Sequence, residues 1–226
     1  MPNHVSTNLV ISGSAKSVER FIRLVDSGDD KHFDFNGVVP MPEELKNTTS
    51  PVRIQTQAEI DSLWAEYNRL KAAGELKEWQ IQDGKPWGLG ITQEKSDELI
   101  AKYGSNNWYD WAIANWGTKW GAYDTTEWEV TKLSDNVAEA RISYHTAWSP
   151  ASEFFIAASE KFSNLLFSTE YADEGGGFVC ETFYENGTIS HDANYDWESD
   201  DGVRVRTNVG YYDPSEEEDD SIVVAE

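Results

Sequence analysis

Twice in this chain a run with the period of a strand leads straight into a run with the period of a helix, and a hairpin lies between the two. Few sheet topologies accommodate that order. In the first unit Val5, Thr7, Leu9 and Ile11 alternate with polar residues, the pattern of a half-buried strand. Gly13 reads as a turn and Ser14 as a helix N-cap, after which Val18, Phe21, Ile22 and Val25 share one helical face. The hairpin joins EWEVTKL (127–133) to EARISYHTAW (139–148) through Ser134-Asp135-Asn136. In the second unit Ser149-Pro150 opens a helix with Phe154, Phe155, Ala158 and Phe162 on its apolar face, and LLFSTEYAD (165–173) follows as a strand. The resulting order is β-α-β-β-α-β. That is an α+β fold of the ferredoxin-like kind, an antiparallel sheet with helices on one face.

Other segments extend or interrupt this core. Asn186-Gly187 is a favoured two-residue hairpin turn inside FVCETFYENGTIS, reached through a flexible turn at Gly175-Gly176-Gly177. VRVRTNV (203–209) reads as one more strand. FDFNGVVPMPEEL (33–45), broken by Pro40 and Pro42, reads as extended or edge structure. Helical spacing dominates from Thr56 to Ala73, again after Thr92, and a third time after a cap at Ser105. Seven of the ten tryptophans (Trp64, Trp79, Trp87, Trp108, Trp111, Trp116 and Trp120) lie between residues 47 and 121, a stretch that therefore predicts packing of its own. The expected organisation is a ferredoxin-like domain from residues 1–46 and 122–191, a helical Trp-rich insertion at 47–121, and an acidic C-terminal region at 192–226 with a disordered end.

Composition excludes several classes. One cysteine, Cys180, forbids an internal disulfide framework and a multi-cysteine zinc site. No apolar run approaches the roughly 18 residues of a membrane span, and MPNHVSTNLV lacks the basic and apolar regions of a signal peptide. A soluble, cytoplasmic protein is expected, without a membrane role. The net charge of -23 argues against direct nucleic-acid binding, which needs Lys and Arg against phosphate.

The charge is also unevenly placed. Residues 170–226 hold 17 acids against Arg204 and Arg206. Asp192, Asp196, Glu198, Asp200 and Asp201 form one acidic stretch, and Glu216, Glu217, Glu218, Asp219 and Asp220 another. Extended at about 3.3 Å per residue, the stretch 213–220 carries one charge per roughly 4 Å, close to the per-strand phosphate spacing of DNA. Such a surface competes for cationic, nucleic-acid-binding grooves; the plainer reading is a solubilising tail.

NWGTKWGAYD (115–124) is the densest side-chain cluster, with Trp116, Lys119, Trp120, Tyr123 and Asp124 around two glycines. It reads either as a ligand or partner platform or as a helix end capped at Gly117 with tryptophans packed inward. His145 on a strand, with Asp124 or Glu127 within reach, is a candidate general base, and Trp148 sits at the mouth of the following helix. His4, His32 and His191 are scattered and suggest no metal set. Asp192, Asn194 and Asp196 alternate as in a calcium loop, but Trp197 stands where glycine is needed and Val203 where glutamate is needed. Neither a metal nor a cofactor is expected.

Several stretches together resemble the YubB-like family of phage and plasmid proteins. They are MPN…NLVISG, FDFNGVVPMPEEL, NWGTKWGAYD, YHTAWSP (144–150) and YADEGGGFVCETFYENG (171–187). The resemblance implies a ferredoxin-like domain and a mobile-element origin, and it carries no catalytic residues. The family shows a Trp-Cys pair where this chain has His4-Val5, and Cys where it reads Trp111-Ala112, which argues against cysteine or metal chemistry. Three functions follow as expectations. The first is a non-enzymatic acidic protein that occupies a basic, nucleic-acid-handling surface of a host protein as counter-defence. The second is a small-ligand module with a pocket of Trp116, Lys119, Trp120, Tyr123 and Trp148. The third is an enzyme using His145 with a carboxylate.

Overall fold

The structure, a computed structural model, describes residues 2–28, 32–82 and 84–211. The chain divides into two compact units, one from Met1–Pro40 and the residues from Asn115 onward, the other from Met41–Ala114.

In the first unit β1 (His4–Ser14) runs directly into α1 (Ala15–Val25). Ser14 caps the helix, its side chain accepting from the Ser17 amide. Gly13 is no turn. It is paired within β1, and a Cβ there would lie 2.5 Å from the Asn164 carbonyl oxygen, so its small size serves a close approach. After Asp26 the chain does not become an edge strand. Phe33 and Phe35 are both buried, and the Asp34 carboxylate between them accepts from the Asn36 amide to close a 3-10 turn over Phe35–Gly37. Two inward rings two residues apart, with a capping carboxylate between, favour that turn over extended pairing.

The second unit, by itself, holds α2 (Glu43–Lys46), α3 (Gln57–Ala73), the short hairpin β2 (Ile81–Gln82) and β3 (Lys85–Pro86), α4 (Gln93–Tyr103), and the start of α5 (Trp108–Trp116). Thr56 and Glu59 form a reciprocal capping box on α3. α5 is capped two residues later than the expected Ser105, because Asn107 Oδ1 accepts from the Asp110 amide. Trp111 is buried, but Trp79 is 69 % exposed and Trp87 is 54 % exposed, with the Arg53 guanidinium 4.9 Å from its ring.

Beyond α5 the first unit continues with β4 (Glu129–Lys132), β5 (Val137–Ala147), α6 (Ser152–Lys161), β6 (Leu165–Asp173), β7 (Val179–Glu185), β8 (Thr188–Asn194) and α7 (Asp200–Asn208). One six-stranded antiparallel sheet results, in the order β4-β5-β1-β6-β7-β8. β1, β4, β5 and β6 with α1 and α6 make the split βαβ core, and the Asn186-Gly187 hairpin adds β7 and β8. Both turn residues have positive φ, as that turn requires.

Alternation sorts the sheet's faces. Phe167 points toward the helices, 5.1 Å from Phe21 of α1 and 6.0 Å from Phe155 of α6. Phe33 joins this layer 5.0 Å from Tyr144, and Phe35 stacks 4.3 Å from Phe154. Each such buried ring is worth roughly 1.5–3 kcal/mol. The stretch 203–209, expected as a strand, is instead the body of α7. Its Val205 packs on Ala172 and Val179, whose parity is opposite to Phe167, so this helix covers the other face. Arg204 fastens it there by pairing with Glu170 and Glu181. Residues 192–208 are thus integral to the folded unit and not part of a separate acidic region, because they supply a strand and an apolar helix face. Glu216, Glu217, Glu218, Asp219 and Asp220 lie outside the described residues.

Candidate functional site at one end of the sheet

The register brings one end of five strands together. His4 lies opposite Ala147, Val5 opposite Asp173, Ala172 opposite Val179, and Cys180 opposite Asn194. From β5 to β8 this end spans four strand spacings, about 19 Å. At its left edge residues 123–126 continue beside β5, where Tyr123 and His145 exchange both backbone hydrogen bonds.

A cleft of about 490 Å³ opens here, its lining including His4, Phe33, Asp34, Trp116, Trp120 and Tyr123 as well as Asn36. Trp116 is only 5 % exposed, and its indole N–H donates to the Val39 carbonyl at 2.9 Å, so it offers the cleft ring surface and no donor. Gly117, with φ +82, ends α5 as expected; a Cβ there would press within 3.0 Å of the Ser152 amide. Trp120 is 39 % exposed and stands edge-on to Tyr123, with Lys119 Nζ 4.4 Å from its ring centre. The Tyr123 hydroxyl bonds to the Thr146 carbonyl at 3.1 Å and to His4 Nδ1 at 2.7 Å, so it has no hydrogen to spare for a ligand. Burial first, then Asp124 and Glu174, pushes the Tyr123 hydroxyl up to about 12.

The residues singled out in the sequence do not all meet. Trp116, Trp120 and Tyr123 line the cleft, whereas Lys119 and Trp148 are outside its lining. Trp148 is 51 % exposed at the end of β5, its amide donating to the Asn3 carbonyl. His145 Nδ1 and Asp124 Oδ2 are 3.4 Å apart, long for a charge-assisted bond, and Asp124 is exposed. Asp124 and Trp148 both have positive φ, at 49° and 73°, which brackets the His145 segment with strained backbone. His4, Phe33, Asp34 and Asn36 were missed as site residues. Nothing in their local pattern separates them from ordinary strand and turn residues until pairing sets His4, its ring 5.8 Å from that of His145, beside Tyr123.

The acidic corner occupies the other side of the same end. Asp192 accepts from the Thr182 hydroxyl at 3.0 Å within β8, so the alternating Asp192 and Asn194 are strand residues and close no calcium loop. Asp192, Asp196, Glu198, Asp200 and Asp201 are all exposed. Asp200 and Asp201 also occupy the first turn of α7, where the helix dipole favours them. Asp201 pairs with Arg204 at 3.4 Å and Glu198 with Arg206 at 3.8 Å. Asp173 caps the glycine turn, accepting from the Gly177 amide, and is buried. Among the described residues no three His, Cys, Asp or Glu side chains converge to hold a metal ion, and no helix is long and apolar enough to cross a membrane.

The sheet order and the paired helices define a ferredoxin-like α+β protein. Residues 116–221 match the family model described as the ferredoxin-like domain in Api92-like protein. The chain is also similar to a crystal structure of a protein api92 from Yersinia pseudotuberculosis, at 11 % identity, covering 86 % of this chain and 98 % of that one with a TM-score of 0.43. No curated protein matches the sequence.

Proposed function

We propose that this is a non-enzymatic interaction protein of a phage or plasmid that uses the acidic end of its sheet to occupy a basic, nucleic-acid-handling surface of a host protein, as counter-defence in the host cytoplasm. The observation that carries the reading is placement. Ten carboxylates between residues 170 and 211 face only Arg204 and Arg206 within that stretch, and five exposed ones gather where β8 turns into α7. Arg204 is held against Glu170, Glu181 and Asp201, so the corner keeps a negative excess. Complementary fields speed association and select cationic partners while repelling polynucleotides.

An oligolysine peptide of 20 residues, titrated by calorimetry at rising ionic strength, tests it. The parent protein binds, and replacing Asp192, Asp196, Glu198 and Asp200 with their amides weakens binding at least about tenfold, with a flatter salt dependence. Binding that survives molar salt, or that the four replacements leave unchanged, overturns the proposal. A catalytic role for His145 gains little from its long approach to an exposed Asp124.

A further inference from the structure

We infer that the aromatic cleft at the His4 end of the sheet receives the guanidinium of an arginine side chain, presented by the basic partner proposed above, on whose existence this inference rests. The walls are Phe33, Trp116, Trp120 and Tyr123. The Trp116 N–H is committed to Val39 and the Tyr123 O–H to Thr146, so these two side chains present ring surface in place of free donors. Ring faces attract cations, and Lys119 already sits 4.4 Å from the Trp120 ring centre.

The polar groups point to the same ligand. Asp34 is held between buried Phe33 and Phe35, and its Oδ1 accepts both the amide and side-chain bonds of Asn36. That leaves Oδ2 for a donor from a ligand. His4, whose Nδ1 bonds to Tyr123, brings Nε2 as a further polar atom of the lining. Among the described residues no Lys or Arg lines the cleft, so an anion would meet the Asp34 carboxylate there without a cationic partner from that lining. Ring faces with a rigid carboxylate suit a planar, donor-rich cation, and arginine stacks on rings and forks onto carboxylates better than lysine. At about 490 Å³ the cleft lies within the range of ligand pockets and takes the side chain together with its stem.

The test uses a nine-residue basic peptide with one central arginine, its citrulline and lysine counterparts, and N-acetyl-arginine-N-methylamide alone, with the Trp120 indole resonance as the readout. The arginine peptide is expected to shift that resonance and to bind at least about tenfold tighter than the citrulline peptide. Asp34→Asn removes this preference. Trp120→Ala, followed by calorimetry because it removes that resonance and checked for its fold by circular dichroism, weakens the arginine peptide likewise. Equal affinity for arginine and citrulline peptides overturns the inference, as does an unmoved Trp120 signal. Saturation by the free arginine amide as tight as by the peptide also overturns it, since the site would then serve a small organic cation. If the 192–200 amide variant loses oligolysine while arginine and citrulline stay equivalent, this inference fails and the proposed function stands.

Discussion

His4 and Tyr123 are 119 positions apart in the chain and share a 2.7 Å hydrogen bond. The same hydroxyl also bonds to the Thr146 carbonyl at 3.1 Å, so one side chain links the start of β1 to the end of β5. It also ties the first residue of β1 to the segment lying beside β5. A sheet end that would otherwise fray becomes one wall of a cleft.

Tyr123→Phe should free His4 and cost about 1 kcal/mol of stability, the usual value of one such bond. Nitrogen chemical shifts of His4 should differ between parent and variant, because the variant lacks the bond at Nδ1. The hydroxyl's ionisation, raised from 10 to about 12, has a signed consequence. The folded state holds this proton more tightly, so its contribution is intact below pH 10 and is lost as the pH rises toward 12. The alkaline limb of a denaturation-versus-pH curve should therefore differ between parent and variant.

Phe33→Ala should be among the most damaging single changes, at about 3–5 kcal/mol in chemical denaturation. Phe33 is 1 % exposed and meets Phe21, Phe35, Tyr144 and Phe154 at once. A loss below about 1 kcal/mol would contradict this packing.

Glu44 is bonded by Lys102, Tyr103 and Lys95, in that order of influence, and its carboxyl is lowered from 4.5 to about 2. A depressed acid stabilises the folded state above its unfolded value and loses that contribution as the pH falls through its folded one. Glu44→Gln should thus lower stability at pH 7, with the gap to the parent closing between about pH 4.5 and 2. A gap that persists at pH 2 would count against the cluster.

Arg204→Gln should loosen α7. Glu170 and Glu181 are register partners on adjacent strands, and Arg204 bridges them. Its side chain remains 40 % exposed, so solvent screening holds the expected loss to about 1 kcal/mol. Hydrogen exchange should rise first in residues 200–208. Uniform exchange across the sheet would show that the helix is held by Val205 alone.

Much of the fold was legible in the sequence because it is written in local periods. The alternation of Val5 to Ile11, the helical face from Val18 to Val25, the Asn186-Gly187 turn, the cap at Ser14 and the helical spacing from Thr56 to Ala73 depend on neighbours within a few residues, and each forms as read. What failed were segments whose local pattern is overruled by distant partners. Val203, Val205, Thr207 and Val209 alternate like a strand, yet Ala172 and Val179 offer one apolar patch that a helix face covers while Arg204 reaches Glu170. Phe33 and Phe35 read as extended until the core of α6 and β5 takes both rings.

By itself, then, the order of residues determined most strands and helices of the split βαβ core, the antiparallel class of the sheet and the negative charge, since these follow from short-range geometry and composition. Only the tertiary structure decided that His4, Asp34, Trp120 and Tyr123 surround one cleft, and that this cleft shares a sheet end with the corner at Asp192 to Asp201. Strand register governs such meetings, and it is set by which faces bury the rings of the whole sheet at once.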